Sequence, residues 1–248
     1  MSKPAITVPL LLDKLESFYG RQAPLWPTDP YHFLVWWHCG YPASDTACAR
    51  GWTSLTKSIG ITPEDLLAAS PERLATALKA GGMVPELRAL RLKEIAMRVK
   101  DQFDGDLLHA LSGPVDQARK ELRKFPNIAD PGADRIILFA HISPVAAIPS
   151  NCPHVLVRIL LGRERENYAV NYREAQNAIA SQTPATFDVR TRAYLLLKQH
   201  GQMICKRTNP RCDQCPVNTA CAFFSGKNRG RPVPPPPKPH SKILSPST

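Results

Sequence analysis

No apolar run in this 248-residue chain approaches the roughly 18 residues needed to cross a bilayer. The first twenty residues hold three consecutive leucines followed by acids, and lack the longer apolar stretch of a secretory leader. A cytoplasmic protein without a membrane partner is therefore expected, nucleoid-associated if the organism is prokaryotic. No segment sustains the apolar/polar alternation of a half-buried strand, which argues against a sheet. Acids are scarce: 21 Asp and Glu face 32 Lys and Arg, a net charge of +11. Two local absences are sharper, because no lysine occurs from Phe125 to Leu197 and no Asp or Glu from Arg135 to Arg163.

What is present describes an ordinary globular protein, 43% hydrophobic and 21% charged, large enough for one big domain or two intimate ones. The excess of cations points to a polyanionic partner, nucleic acid or an anionic membrane surface. Helical periodicity is strongest from Arg73 to Val99, where Leu74, Leu78, Leu87, Leu90, Ile95 and Val99 recur at steps of three and four around a Gly81-Gly82 break. Thr62-Pro63-Glu64-Asp65 and Ser70-Pro71-Glu72 each set a capping hydroxyl before proline and acid, a helix start. Further helices are expected at about 9–19, 30–38, 45–58, 114–125, 133–142, 153–162, 171–181 and 187–200, so the class is all-α. From Gly226 to Thr248 the chain has seven prolines, five Lys or Arg and no acid, which predicts an extended, disordered, proline-rich basic tail carrying +5 of the +11.

In a reducing compartment seven cysteines read first as metal ligands or buried thiols. Cys205, Cys212, Cys215 and Cys221 form C-x6-C-x2-C-x5-C within seventeen residues. A zinc site usually shows two C-x2-C knuckles around a longer insert, whereas four thiols at short uneven spacing fit a [4Fe–4S] cluster better. Cys39, Cys48 and Cys152 are not spaced for a metal, and Cys39 and Cys48 read as small buried residues.

This cysteine pattern, directly after His200-Gly201, resembles the C-terminal iron–sulfur loop of the endonuclease III-like branch of the helix-hairpin-helix DNA glycosylases. The resemblance runs over most of residues 28 to 225. PYHFLVWWHCGYPASD (30–45) is similar to the family's early core helix and turn. FPNIADPGAD (125–134), before the apolar RIILFAHI, stands where the family has its DNA-binding hairpin, L-P-G-I/V-G followed by a helix. The resemblance implies a structural [4Fe–4S] cluster on Cys205, Cys212, Cys215 and Cys221. It also implies phosphate contacts from Lys206, Arg207 and Arg211 and from the hairpin residues Asn127, Ile128 and Ala129, with double-stranded DNA, damaged or distorted, as partner of a monomer. The family's glycines allow positive φ and close approach to phosphate at a helix N-terminus. Asn127 tolerates the left-handed region well and Ala129 less well, so an altered hairpin or an ordinary helix connection capped by Asp130 or Asp134 are both open.

The family's catalytic pair is missing. Aligned on the hairpin, its Schiff-base lysine falls on Pro131; aligned on PHVLVRIL, which resembles the family's D-T-H-V-x-R stretch, its aspartate falls on Cys152. A lyase using the usual lysine is excluded, and a neutral thiol is a poor substitute for a carboxylate beside a cationic sugar. Asp45, Asp130 and Asp134 are conceivable replacements but read first as caps or surface acids, and His141 and His154 as packed or surface histidines. Three functions are thereby open: a glycosylase with a rearranged site or unusual lesion choice, a catalytically inactive binder of damaged or structured DNA, and an iron–sulfur electron carrier. The expected architecture is two helical lobes with a DNA-binding cleft between them. These are a helical barrel with the hairpin over 29–145, a cluster lobe from 1–28 plus 146–225, and the tail over 226–248.

Overall fold

The computed structural model describes residues 6–227. Thirteen α-helices follow in order: α1 (Val8–Tyr19), α2 (Pro30–His38), α3 (Asp45–Ser58), α4 (Pro63–Ala68), α5 (Pro71–Leu78), α6 (Pro85–Phe103), α7 (Leu107–Ala110), α8 (Val115–Leu122), α9 (Asp130–Phe139), α10 (Pro153–Leu156), α11 (Tyr168–Gln182), α12 (Phe187–Met203) and α13 (Ala222–Lys227). No strand occurs among the described residues, as the missing alternation predicts. The chain divides into two compact units, one from Met1–Ala23 with Pro144–Thr248 and one from Pro24–Ser143.

The start signals act as their chemistry requires. Thr62 Oγ1 accepts from the Asp65 amide and the Asp65 carboxylate accepts from the Thr62 amide, a reciprocal cap on α4. Ser70 caps α5 through the Arg73 amide.

In the first unit, α1 turns Val8, Leu11, Leu12 and Leu15 inward at helical spacing, against α11 and α12. Each such burial contributes about 1.5–3 kcal/mol. α10 passes directly into a π-helical turn, Val157–Leu161. It lies so close to α12 that a Cβ on Gly201 would overlap Cys152 Sγ. In the second unit the Arg88 side chain is wholly buried and donates to the carbonyls of Cys39, Leu78, Gly82 and Met83. It ties the turn after α5 to the end of α2. Arg135 lies against the rings of Trp26 and Phe33, 3.8 and 4.7 Å from their centroids.

Several boundaries differ from expectation, each for a local reason. α9 begins at Asp130 instead of 133, because Ala129 is extended (φ −103°, ψ −178°) and Pro131 suits the first turn; it ends at Phe139, just ahead of His141 at φ +58°. The four-residue α7, capped by Asp106, is too short to show periodicity. Leu87 and Leu90 are not core residues: they are 43% and 57% exposed, and the buried face of α6 is Arg88, Ala89, Leu92, Ile95, Ala96 and Val99. Periodicity misassigned that face because its inward positions include an arginine and two alanines. Gly226 and Lys227, expected to open the tail, instead close α13; the rest of that expected segment, 228–248, lies outside the described residues.

Candidate metal centre and nucleic-acid interface

After α12 the chain gives up regular helix for two short 3-10 turns, Cys212–Gln214 and Asn218–Ala220. These fold Cys205, Cys212, Cys215 and Cys221 back so that all four line one cavity, together with Arg158, His200, Pro210, Phe223 and Phe224. None is in a disulfide. Among the described residues no three His, Cys, Asp or Glu side chains close on a point that a single metal ion would occupy. Burial pushes the Cys205 and Cys215 thiols up to about 12 and Cys221 upward as well, and the nearby thiols add to each rise. Four thiolates would repel one another here, so the donor set suits a cationic centre that several sulfurs share.

The loop from Cys205 to Cys212 is tethered by two buried side chains on the segment that resembles the family's D-T-H-V-x-R stretch. His154 Nε2 donates to the Cys205 carbonyl at 2.7 Å, and burial lowers its pKa, which keeps it neutral. Arg158 Nη1 and Nη2 donate to the carbonyls of Lys206 and Arg207 at 2.8 and 2.9 Å, and Arg158 pairs with Glu164. In the family's stretch the arginine follows the histidine by three residues; here it follows by four. The π-helical turn at Val157–Leu161 has the wider i→i+5 winding that accommodates an added residue. Reading the sequence alone missed Arg158 as a site residue, although the offset from His154 was visible. Of the loop cations, Arg211 and Arg207 are exposed and Lys206 is half-buried, with Arg207 3.8 Å from Glu164.

In the second unit α8 and α9 form a helical hairpin across residues 123–129. Asn127 takes φ +57°, the left-handed conformation that its place in the turn anticipated. Its Nδ2 lies 3.3 Å from His38 Nε2, while His38 Nδ1 donates to the Leu34 carbonyl at 2.8 Å, so α2 holds the turn through a neutral imidazole. Ala129 needs no positive φ, and the anticipated strain at that position is absent. The Ile128 side chain is buried, which leaves only its backbone to face a ligand. Asp134 is neither a cap nor a surface acid: it is 1% exposed and accepts from Arg119 at 2.9 Å, joining α9 to α8. Asp130 pairs with Arg123 at 3.1 Å on the surface.

No protein-family model matches the chain. The chain is 23% identical over 203 residues to the endonuclease III of Thermotoga maritima, covering 82% of this chain and 87% of that one. It is 22% identical over 211 residues to the endonuclease III of Bacillus subtilis, covering 85% and 89%. Superposed on an endonuclease III in a non-covalent complex with DNA it gives a TM-score of 0.69 at 19% identity, over 90% of this chain and 99% of the other. The fold is that of the endonuclease III-like DNA glycosylases.

On this endonuclease III-like fold, Pro131 and Cys152 are the two positions onto which the resemblance maps the family's catalytic pair. Pro131 opens α9 and has no ionisable side chain. Cys152 is buried under Gly201, and burial pushes its thiol up to about 11 against the pull of Lys198 and Arg207. It is neutral at pH 7 and has cations for neighbours. Cys39 and Cys48 are buried, with thiols pushed well up by burial, as small core residues are.

His38 gives the second unit a pH dependence. Burial lowers its pKa from 6.5 to about 4. The unfolded chain therefore takes up a proton that the folded unit refuses. Stability is full above about pH 6.5 and falls by up to about 3 kcal/mol as the pH approaches 4. Urea midpoints at pH 7.5 and 4.5 check this. His38→Gln should show a smaller acid loss than the wild type, and equal losses in both would refute the assignment.

Proposed function

We propose that this chain is a DNA-binding iron–sulfur protein of base-excision repair, in which Cys205, Cys212, Cys215 and Cys221 hold a [4Fe–4S] cluster. The observation that carries this reading is the convergence of four thiols on one cavity within an endonuclease III-like fold. The donor set fits the group: four sulfurs on one cavity, buried at Cys215 and Cys221 and half-buried at Cys205 and Cys212, whose thiolates would repel one another. When bound, the cluster supplies a covalent staple for the loop. Lys206, Arg207 and Arg211 then present charge to phosphate, on a backbone that His154 and Arg158 hold. The amides of Asn127 and Ala129, beside the N-terminus of α9, offer a second phosphate contact in the other unit, while the Ile128 amide between them donates to the Phe125 carbonyl. Double-stranded DNA, damaged or distorted, is the partner.

Two readings of turnover follow from the departures at Pro131 and Cys152. In one the protein is a DNA glycosylase with a rearranged active site or unusual lesion choice. In the other it recognises damaged or structured DNA without cleaving it. The buried, neutral thiol of Cys152, which offers no negative charge to a developing cationic sugar, favours the second. Binding to a lesion-bearing duplex should be strongly salt-dependent, and Lys206→Ala with Arg211→Ala should reduce the log–log salt slope by about 2. No binding at low salt would overturn the proposal. Base release from any duplex in a broad lesion panel would select the glycosylase reading.

A further inference from the structure

Beside the cluster cavity stands a pair of residues that neither the DNA contacts nor the tethering of the loop uses. His200, on the last turns of α12, is fully buried. Its Nδ1 is 2.9 Å from the Tyr19 hydroxyl at the end of α1, and its Nε2 is 3.6 Å from Cys215 Sγ. All three groups belong to the first unit. A neutral imidazole carries a proton on one ring nitrogen and not on the other. Cys215 gives up its own proton when it becomes a ligand, and a thiolate can only accept. Nε2 must then be the donor to sulfur, and Nδ1 must accept from the Tyr19 hydroxyl. The two contacts demand the same tautomer.

We propose that Tyr19 and His200 form a hydrogen-bond relay that ends on the Cys215 sulfur and sets the redox potential of the cluster. The inference rests on the cluster reading above. A donated N–H stabilises the more negative, reduced state of an iron–sulfur centre, and so raises its potential and protects it from oxidation. Tyr19 acts through His200: its hydroxyl holds Nδ1 as acceptor and thereby keeps the proton on Nε2.

The test is protein-film voltammetry on full-length protein, with iron and sulfide analysis of each preparation. His200→Leu with its iron retained should shift the midpoint downward, by about 59 mV for a tenfold change in the oxidised-to-reduced ratio of a one-electron couple. His200→Gln, which keeps an amide donor for the sulfur, should restore most of the shift. Tyr19→Phe should give a smaller shift of the same sign, and loss of the cluster absorption in air should quicken in the same order. Should His200→Leu lose its iron, Tyr19→Phe decides the matter, since Tyr19 is half-buried and bears on Cys215 through His200. Midpoint and air stability unchanged in variants with full iron content would overturn this inference alone. Wild-type protein without iron or sulfide would overturn the cluster reading, and the relay with it.

Discussion

Cys212→Ser should give a colourless protein. The wild type, prepared without oxygen, is expected to be brown with broad absorption near 400 nm, while the serine variant should lack both the absorption and stoichiometric iron. The stability effect should be large, because the segment from Cys205 to Cys221 has little core of its own. It has two 3-10 turns of three residues each, and the four cysteine side chains line a cavity. Loss of a structural metal belongs to the mutations that cost more than about 4 kcal/mol. At roughly 2–4 °C per kcal/mol for a chain of this size, Tm should fall by on the order of 10 °C. DNA affinity should fall with it, because Lys206, Arg207 and Arg211 sit on the loop between the first two ligands. Zinc without iron in the wild-type protein would refute the cluster assignment, and an unchanged 400 nm absorption in Cys212→Ser would refute this ligand.

Arg119→Met should strongly destabilise the other unit. It takes from the Asp134 carboxylate, which is 1% exposed, the two Arg119 nitrogens that donate to it at 2.9 Å. Removing one partner of a buried pair costs about 3–5 kcal/mol, most of it from the charge left behind. Arg119 is itself partly open to water and pairs also with Asp116 at 2.8 Å, so Asp134→Leu should cost less than Arg119→Met. The double variant should recover much of the loss, because neither charge is then buried alone. Guanidinium unfolding of the three proteins measures the cycle. Equal losses in the two single variants and simple additivity in the double would show that the pair has no special role. Since α8 and α9 carry the hairpin, salt-dependent DNA binding should weaken in step with the lost stability.

Much of this molecule was legible as local chemistry. The capping residues Thr62 and Ser70 marked two helix starts, and an asparagine at 127 marked a left-handed turn. The cysteine spacing marked one site. Other features were not legible because their determinants lie far apart in sequence. Leu87 and Leu90 looked like core by spacing, yet Arg88 took the inward position by satisfying four carbonyls. Asp134 looked like a cap until Arg119, on the preceding helix, enclosed it.

By itself the sequence determined the helical class, the excess of cations, the four candidate ligands and the local absence of lysine from Phe125 to Leu197 and of Asp or Glu from Arg135 to Arg163. Those follow from periodicity, composition and spacing, which are local properties of a chain. Only the tertiary structure decided which groups meet. It placed His154 and Arg158 on the carbonyls of the cysteine loop, His38 behind Asn127, and His200 between Tyr19 and Cys215. Apart from His200 and Cys215, fifteen residues apart, each of those contacts joins partners at least 48 residues apart, and pairing at that distance is chosen by packing, which no local pattern encodes.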